Sequence, residues 1–552
     1  MASTTLPVRN LGSVGVITDI NPYNLPLAGF TAANNVRFDE GKIKRSVVFR
    51  TVYDDLEDST INGGADFNPR VCFAVVPSSG FDSIIMASDT YSIYEYTNST
   101  VVDVSGAIAS TNPVTLPFTA CVLADVAYIN RPDAVPVYRL PSGTNFAILP
   151  NWNANWRCAS LRPYGDFMIA LSMTEGAVSY PNRVRFSDLV TANAVPTTWS
   201  ETDTTASAGF NDLVQMQTPI KDGAELGTNF IIYSSTEVML MEFTGGSFIF
   251  NFRKLFSDDG VINQNCIVEA DGKHFVFGAT DIYVHDGNTK QSIADEKVRQ
   301  RIYSTLNIKN ANRCFALHNK QLSEIYFCYQ SGDDLVSFDN TDRCNRAAVY
   351  NYKNNTWSFI DLPNVSAGTN ANLNTITTYA ETTAFYNTIG GSYFEQGDSF
   401  GRHTIMVGDA DAGNGLTYNK VFALDLAEEG SSIAFGIDEN ATKSPLFERV
   451  GVDLDEMKQS IDGYKVITRL LPQLSTFNTD NTNFTFQFGA SDIPNETPTY
   501  GTAVTFDTSV DYKIDSRAAG RYLSYKVSLA DSDYKDFSFS GFDIDVTTTG
   551  SK

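Results

Sequence analysis

The sequence predicts an all-β chain: a degenerate β-propeller of about six blades with insertions, followed by a β-sandwich-like platform. Three observations carry that expectation. Period-two runs rich in Val, Ile, Tyr, Phe and Thr, broken by Asp-Gly, Gly-Gly, Asn-Ser and Pro, dominate from about residue 68 onward. A strand, a small turn ending in Thr, and a second strand recur at Ile84–Thr90, Phe230–Thr236 and Phe275–Thr280. From about residue 430 the alternation lengthens, as in Tyr464–Leu471, Asn483–Phe488, Tyr522–Leu529 and Phe537–Val546.

The repeat sets the unit size. The interval from Thr90 to Thr236 holds about three units of ~49 residues, close to the length of a propeller blade. Weaker copies at Ala120–Ile129 and Asp166–Ser172 fill the gap, Arg346–Pro363 reads as a hairpin closing on Trp357, and another unit spans Ile405–Asp425. The alternative is a run of unrelated hairpins in a sandwich. In order along the chain, residues 1–59 form an N-terminal arm packed with the platform, 60–429 the propeller, and 430–552 the platform. One helix is expected over residues 293–306, where Ser292 and Asp295 make a capping box and Val298, Ile302 and Leu306 share a face. Residues 364–402, rich in Asn, Thr, Gly and Ser with scattered aromatics, read as a loop insertion between blades, a usual place for a binding or gating tip.

Composition narrows the function. Hydrophobic residues at 42% and charged residues at 19% describe a globular chain rather than a disordered or fibrous one. The 64 acidic against 40 basic residues leave a formal charge of −24, which repels phosphate, and no basic run exists to grip DNA. Seven dispersed cysteines with no CxxC argue against a disulfide framework or a zinc site and fit assembly in a reducing cytoplasm. The N-terminus lacks the features of a secretory signal, and no apolar run of ~18 residues could anchor the chain in a membrane.

The search for chemistry finds little. Four dispersed histidines, His274, His285, His318 and His403, form neither a triad nor an HExxH site, and His274 and His285 read as ordinary strand residues flanking a hairpin. Asp543–Thr547 has the spacing of a phosphatase nucleophile loop, but no α/β domain follows it, so these are alternating strand residues. Asp409, Asp411 and Asn414 begin like a calcium loop and lack the closing Glu, which leaves a polar hairpin tip as the default. No catalytic residue or cofactor is expected.

Gly15–Gly29 followed by Ala33–Arg45, with its Asn-x-Arg-Phe element, is similar to the entry segment of the tail hub or nozzle proteins of short-tailed phages, also called packaged-DNA stabilisation or tail tubular proteins. Asp222–Asn307, with its Tyr233-to-Phe243 hairpin and Asp258–Gly260, resembles that family's blade pair ending in a helix. Arg517–Val527 and Phe539–Val546 are similar to its last two strands. The resemblance implies a non-enzymatic virion protein, a hexameric ring below the portal and adaptor. Such a ring docks fibres, a plug or a needle, and genomic DNA is retained and conducted in its lumen without tight binding. In that setting Arg37, Arg45, Arg517 and Arg521 are candidate inter-segment or subunit contacts, where guanidinium–carboxylate pairing is useful. The other reading is a β-propeller that binds or cleaves glycans, with paired carboxylates as acid and base.

Overall fold

The computed structural model describes residues 4–76, 82–97, 100–108, 112–246, 248–333, 343–373, 402–409, 419–425, 444–454, 463–476, 483–493, 496–529 and 537–548. The described chain is nearly all-β. Five separate antiparallel sheets of four strands follow one another in sequence, each strand pairing with the next. Unit 1 comprises Pro69–Val75, Ser83–Ser88, Ile93–Thr97 and Thr100–Asp103, and unit 2 Thr119–Leu123, Val126–Asn130, Val137–Arg139 and Ala147–Ile148. Unit 3 comprises Trp156–Tyr164, Phe167–Glu175, Val178–Phe186 and Gly209–Asp212, and unit 4 Ile220–Leu226, Asn229–Ser234, Glu237–Phe243 and Phe250–Ser257. Unit 5 comprises Ile267–Ala270, Lys273–Phe277, Ile282–His285 and Lys290–Ser292.

Two more four-stranded segments lie inside a larger sheet of 13 strands. Unit 6 is Phe315–Asn319, Glu324–Tyr329, Cys344–Asn351 and the first half of the long strand Thr356–Ala371. The second half of that strand opens unit 7, followed by His403–Gly408, Lys420–Leu424 and, from the other end of the sequence, Phe49–Tyr53. The count is therefore seven four-stranded units rather than about six. The expected arm also divides, because Phe49–Tyr53 completes unit 7 instead of packing with the platform. The 16-residue strand Thr356–Ala371 serves both unit 6 and unit 7, pairing with Cys344–Asn351 through its first half and with His403–Gly408 through its second.

Side-chain alternation explains the packing. In Phe230–Ser234, Tyr233 and Ile231 face one core cluster while Phe230 and Ile232 face another, so each inner strand is buried on both sides by its neighbours. First strands lie against each other from unit 1 through unit 4 and from unit 5 through unit 7, and Thr356–Ala371 returns against Pro69–Val75 of unit 1.

The platform is two sheets. One has the order Ile514–Gly520, Lys465–Thr476, Phe537–Thr548, Lys42–Arg45, Val36–Asp39, with Thr4–Arg9 also on Phe537–Thr548. The other continues the 13-stranded sheet through Ala32–Asn34, Leu446–Val452, Tyr522–Leu529 and Asn483–Ser491. Phe30, Phe38, Phe447, Phe486, Phe539 and Phe542 fill the space between the sheets at aromatic contact distances. Asp543 and Asp545, two residues apart on Phe537–Thr548, meet Arg9 at 2.6 Å and Arg469 at 2.6 Å, the pairing of ordinary strand residues.

The helix is shorter than its pattern. It spans Arg299–Thr305 because Glu296 adopts a left-handed backbone (φ 58°) and Val298 is non-helical. Ser292 still accepts a hydrogen bond from the Asp295 N–H at 3.1 Å, so the capping signal marks a turn just ahead of the helix. Val298 and Ile302 are fully buried. The insertion expected at 364–402 begins inside strand Thr356–Ala371, and its remainder from 374 to 401 lies outside the described residues.

Candidate functional site

One strand from each of the seven units lines a single cavity of about 390 Å³. Its wall includes Arg70–Phe73, Ala120, Arg162, Asp222–Glu225, Glu269, Ala316 and Ser366–Gly368. A register shift between Ile220 and Asp222 re-aims the strand at its start. Asp222, in the cavity wall, is fully buried. Asn265 reaches the same point from the turn before unit 5, its left-handed φ of 60° being one that Asn tolerates.

Four donors converge on the Asp222 carboxylate: Ser160 Oγ at 2.5 Å, Arg162 Nε at 2.8 Å, Arg162 Nη2 at 2.7 Å and the Asn265 N–H at 2.9 Å. Burial opposes the charged form, but the Arg162 charge and these hydrogen bonds outweigh it and hold the carboxyl below its ordinary range. Asn265 in turn accepts from Arg162 at 2.7 Å, donates to the Phe118 carbonyl at 2.8 Å, and its own carbonyl accepts from the Ala316 N–H. Residues ahead of or within units 2, 3, 4, 5 and 6 are thus stitched across the cavity. A second crossing joins Asn312 to the Thr115 carbonyl at 2.6 Å.

A carboxylate with every acceptor site engaged and its charge held on works as a strut, not as a proton carrier. Glu225 is different: burial, with Glu269 nearby, raises its pKa, and it accepts from the Gly165 N–H at 2.6 Å. The cavity volume falls in the range of small-molecule pockets, far below what a nucleic-acid duplex needs.

Beside the cavity, units 4 and 5 share a buried chain of hydrogen bonds. His274 and His285 are directly opposite in adjacent strands, and Tyr233 Oη lies 2.7 Å from His274 Nδ1 and 2.6 Å from His285 Nε2. His274 Nε2 faces the Glu225 carbonyl, an acceptor only, so it carries a proton; His285 Nδ1 faces the Gly287 N–H, a donor only, so it carries none. One arrangement satisfies all contacts: Gly287 N–H to His285, His285 Nε2–H to Tyr233, Tyr233 O–H to His274, His274 Nε2–H to Glu225. Burial pushes the His274 pKa down to about 4 and that of His285, with His274 adding to the effect, to about 3. These strand residues form a neutral brace between two sheets, which their spacing alone did not disclose.

The sequence-selected residues scatter. Arg45 is buried and pairs with Asp425 at 2.7 Å, linking the arm to the end of a unit 7 strand 380 residues away. Arg37 is on the paired neighbouring strand, and its charge acts on buried Glu324 of unit 6. Burial raises Glu324 to about 7 against the opposing effects of Arg37 and a hydrogen bond from Tyr326 at 2.9 Å. Arg521 offers its carbonyl to Lys465 Nζ at 2.9 Å, and Arg517 is exposed on a platform strand. Asp409 lies 3.5 Å from Arg343, while Asp411 and Asn414 lie outside the described residues. Ser160, Arg162, Asp222 and Asn265 carried no sequence signal, since the hub joins residues of unit 3, unit 4 and the turn before unit 5 and no local spacing marks it.

Among the described residues no group of three His, Cys, Asp or Glu side chains is placed to hold a metal ion, and no helix is long and apolar enough to cross a membrane. All seven cysteines are free thiols. The chain matches no protein-family model and no curated protein sequence.

Proposed function

We propose that the chain is a structural, non-enzymatic subunit of a short-tailed phage tail, of the nozzle or hub class, and that its seven units are the blades of a closed propeller. The observation that carries this reading is the weave of the chain ends. Residues 4–45 enter the platform built from residues 446–548, Phe49–Tyr53 completes the last four-stranded unit, and the units run between them. That is the order of parts of the family whose entry and closing segments the sequence resembles. The single cavity lined by seven first strands, and the return of unit 7 against unit 1, support the closed propeller.

The propeller's own channel cannot conduct a genome, because it is small and crossed by the Asp222–Asn265 hub. A DNA-conducting lumen then belongs to the assembly, between copies arranged as a hexameric ring under an adaptor or portal, with fibres or a plug docked below. At −24 per copy such a ring lets DNA pass without holding it, since like-charge repulsion acts over the ~8–10 Å screening length of a narrow lumen.

Glycan binding would need open aromatic faces. Three of the four tryptophans do gather in unit 3, yet Trp152 and Trp199 are buried against each other at 4.8 Å and Arg185 lies 4.1 Å over Trp156, which favours the structural reading. Two measurements on the purified chain test the proposal. Titration with free duplex DNA should give no binding tighter than the non-specific range of ~10⁻⁴–10⁻⁶ M at physiological salt. Glycan hydrolysis or nucleotide hydrolysis should be absent. Tight salt-sensitive DNA binding, or turnover abolished by one carboxylate substitution such as Glu225→Gln, would overturn it.

A further inference from the structure

We infer that the outer edge of unit 4, strand Phe250–Ser257 with the hairpin tip before it, is the docking edge for a second copy of this chain. The inference rests on the ring assembly proposed above. It starts from edge lengths. The outermost strands of units 1, 2, 3 and 5 have 4, 2, 4 and 3 residues, whereas that of unit 4 has 8. Among the described residues its only pairing partner is Glu237–Phe243, which leaves its other side an open backbone edge there. Short edges protect a sheet protein from unwanted pairing, and a long one is a template for another strand.

The usual protections are concentrated at the far end of this strand. The register irregularity falls between Val238 and Met239, and Lys254 is engaged by Glu237 at 2.5 Å. From Phe250 to Arg253 the register is regular, pairing residue by residue with Phe243 back to Leu240. At that regular end the tip carries Phe248, 83% exposed, and Phe243, 53% exposed, over a buried aromatic group that includes Phe167, Phe186 and Phe250. The platform's long outer strand, Ile514–Gly520, differs because it lies against Asn483–Ser491 of the opposite sheet.

Charge selects the occupant. Arg253 and Asn251 are exposed on the edge. A partner strand should bring carboxylates to Arg253 and an apolar surface to Phe248. A second copy of a −24 chain presents mostly acidic surface, so exposed Arg253, on the open strand beyond Glu242, and the aromatic tip beside it are complementary to it. The contact joins two different surfaces, the head-to-tail geometry that generates rings. Backbone pairing would supply affinity and the Phe248 tip the anchor.

The test is native mass spectrometry of the full chain across a concentration series, comparing the wild type with the double variant Phe248→Ser, Arg253→Glu. As a control, Ile308→Ser with Val510→Ser removes apolar side chains that are similarly exposed but belong to the segment between units 5 and 6 and to the platform. The edge variant should need at least a tenfold higher concentration to assemble, with unchanged circular dichroism and melting of the monomer, while the control assembles as the wild type does. Rings that form normally in the edge variant overturn this inference and leave the proposed function standing. A wild type that stays monomeric throughout overturns both.

Discussion

Units 1 to 5 and the platform are both antiparallel β-structure, yet they are assembled in opposite ways. Each of the first five units is a continuous stretch of sequence whose four strands pair in order, so its contacts are local. The platform joins residues up to 542 positions apart, Thr4 opposite Val546, with Thr4–Arg9 lying on Phe537–Thr548 and Lys42–Arg45 on the same strand. A locally built sheet depends on its neighbours through side-chain packing and a few cross-links such as those of the Asp222 hub. A woven sheet fails at both chain ends together. The difference predicts that damage in the first region stays regional while damage in the second spreads along the sequence.

The largest effects should expose this contrast directly. Asp222→Ala strands the largely buried Arg162 guanidinium and should cost about 3–5 kcal/mol, with loss of amide-exchange protection confined to units 2–6. Phe539→Ala, at a fully buried ring against Phe447 and Phe542, should cost a similar ~3–5 kcal/mol. Its protection losses should appear at once in residues 4–9, 465–476 and 537–548. Regional loss in both variants would break the comparison.

Glu324 sharpens it at the junction between arm, unit 6 and unit 7. Its carboxyl, ordinarily near 4.5, is raised to about 7 by burial. The native state therefore keeps a proton that the unfolded chain releases above 4.5. The stability from this group is complete below 4.5 and is lost as pH rises through 7. Glu324→Gln should melt later than the wild type at pH 8, by roughly 2–3 kcal/mol, and equally with it near pH 4.

Tyr233→Phe should have a smaller effect, about 1–3 kcal/mol, by leaving His274 Nδ1 and His285 Nε2 buried without their shared partner. Both histidines have pKa values depressed from 6.5, so the wild-type brace is at full strength above 6.5 and weakens as pH falls toward 4 and 3. Thermal melts between pH 7 and 4 should show this decline, with exchange increasing first at the seam of units 4 and 5. Least of all, Arg517→Ala on an exposed platform face should change monomer stability by no more than ~0.5 kcal/mol.

The same contrast decides what could be read in the sequence. Hairpins around Thr90, Thr236 and Thr280 were legible because strand, turn and partner strand are contiguous, and Tyr522–Leu529 was legible from its alternation. The unit at Ile405–Asp425 was legible too, but not its outer strand, since Phe49–Tyr53 lies 367 residues before the strand that it completes (Lys420–Leu424). The helix was overextended because an apolar face persists through a left-handed turn at Glu296. The Asp222 hub was invisible for the same reason as that outer strand: Ser160, Arg162 and Asn265 are 62, 60 and 43 residues away. Of the arginines selected by sequence, Arg45 meets a carboxylate, Asp425, at the end of its strand.

The most direct measurement of the central claim is electron cryo-microscopy of the assembled full chain. The account predicts a sixfold ring whose lumen lies between copies, is wide enough for a DNA duplex and is lined mainly by carboxylates, with each copy's seven units closed around their own small cavity. A ring with a basic lumen, or a monomer whose seven units do not close on one another, would contradict it.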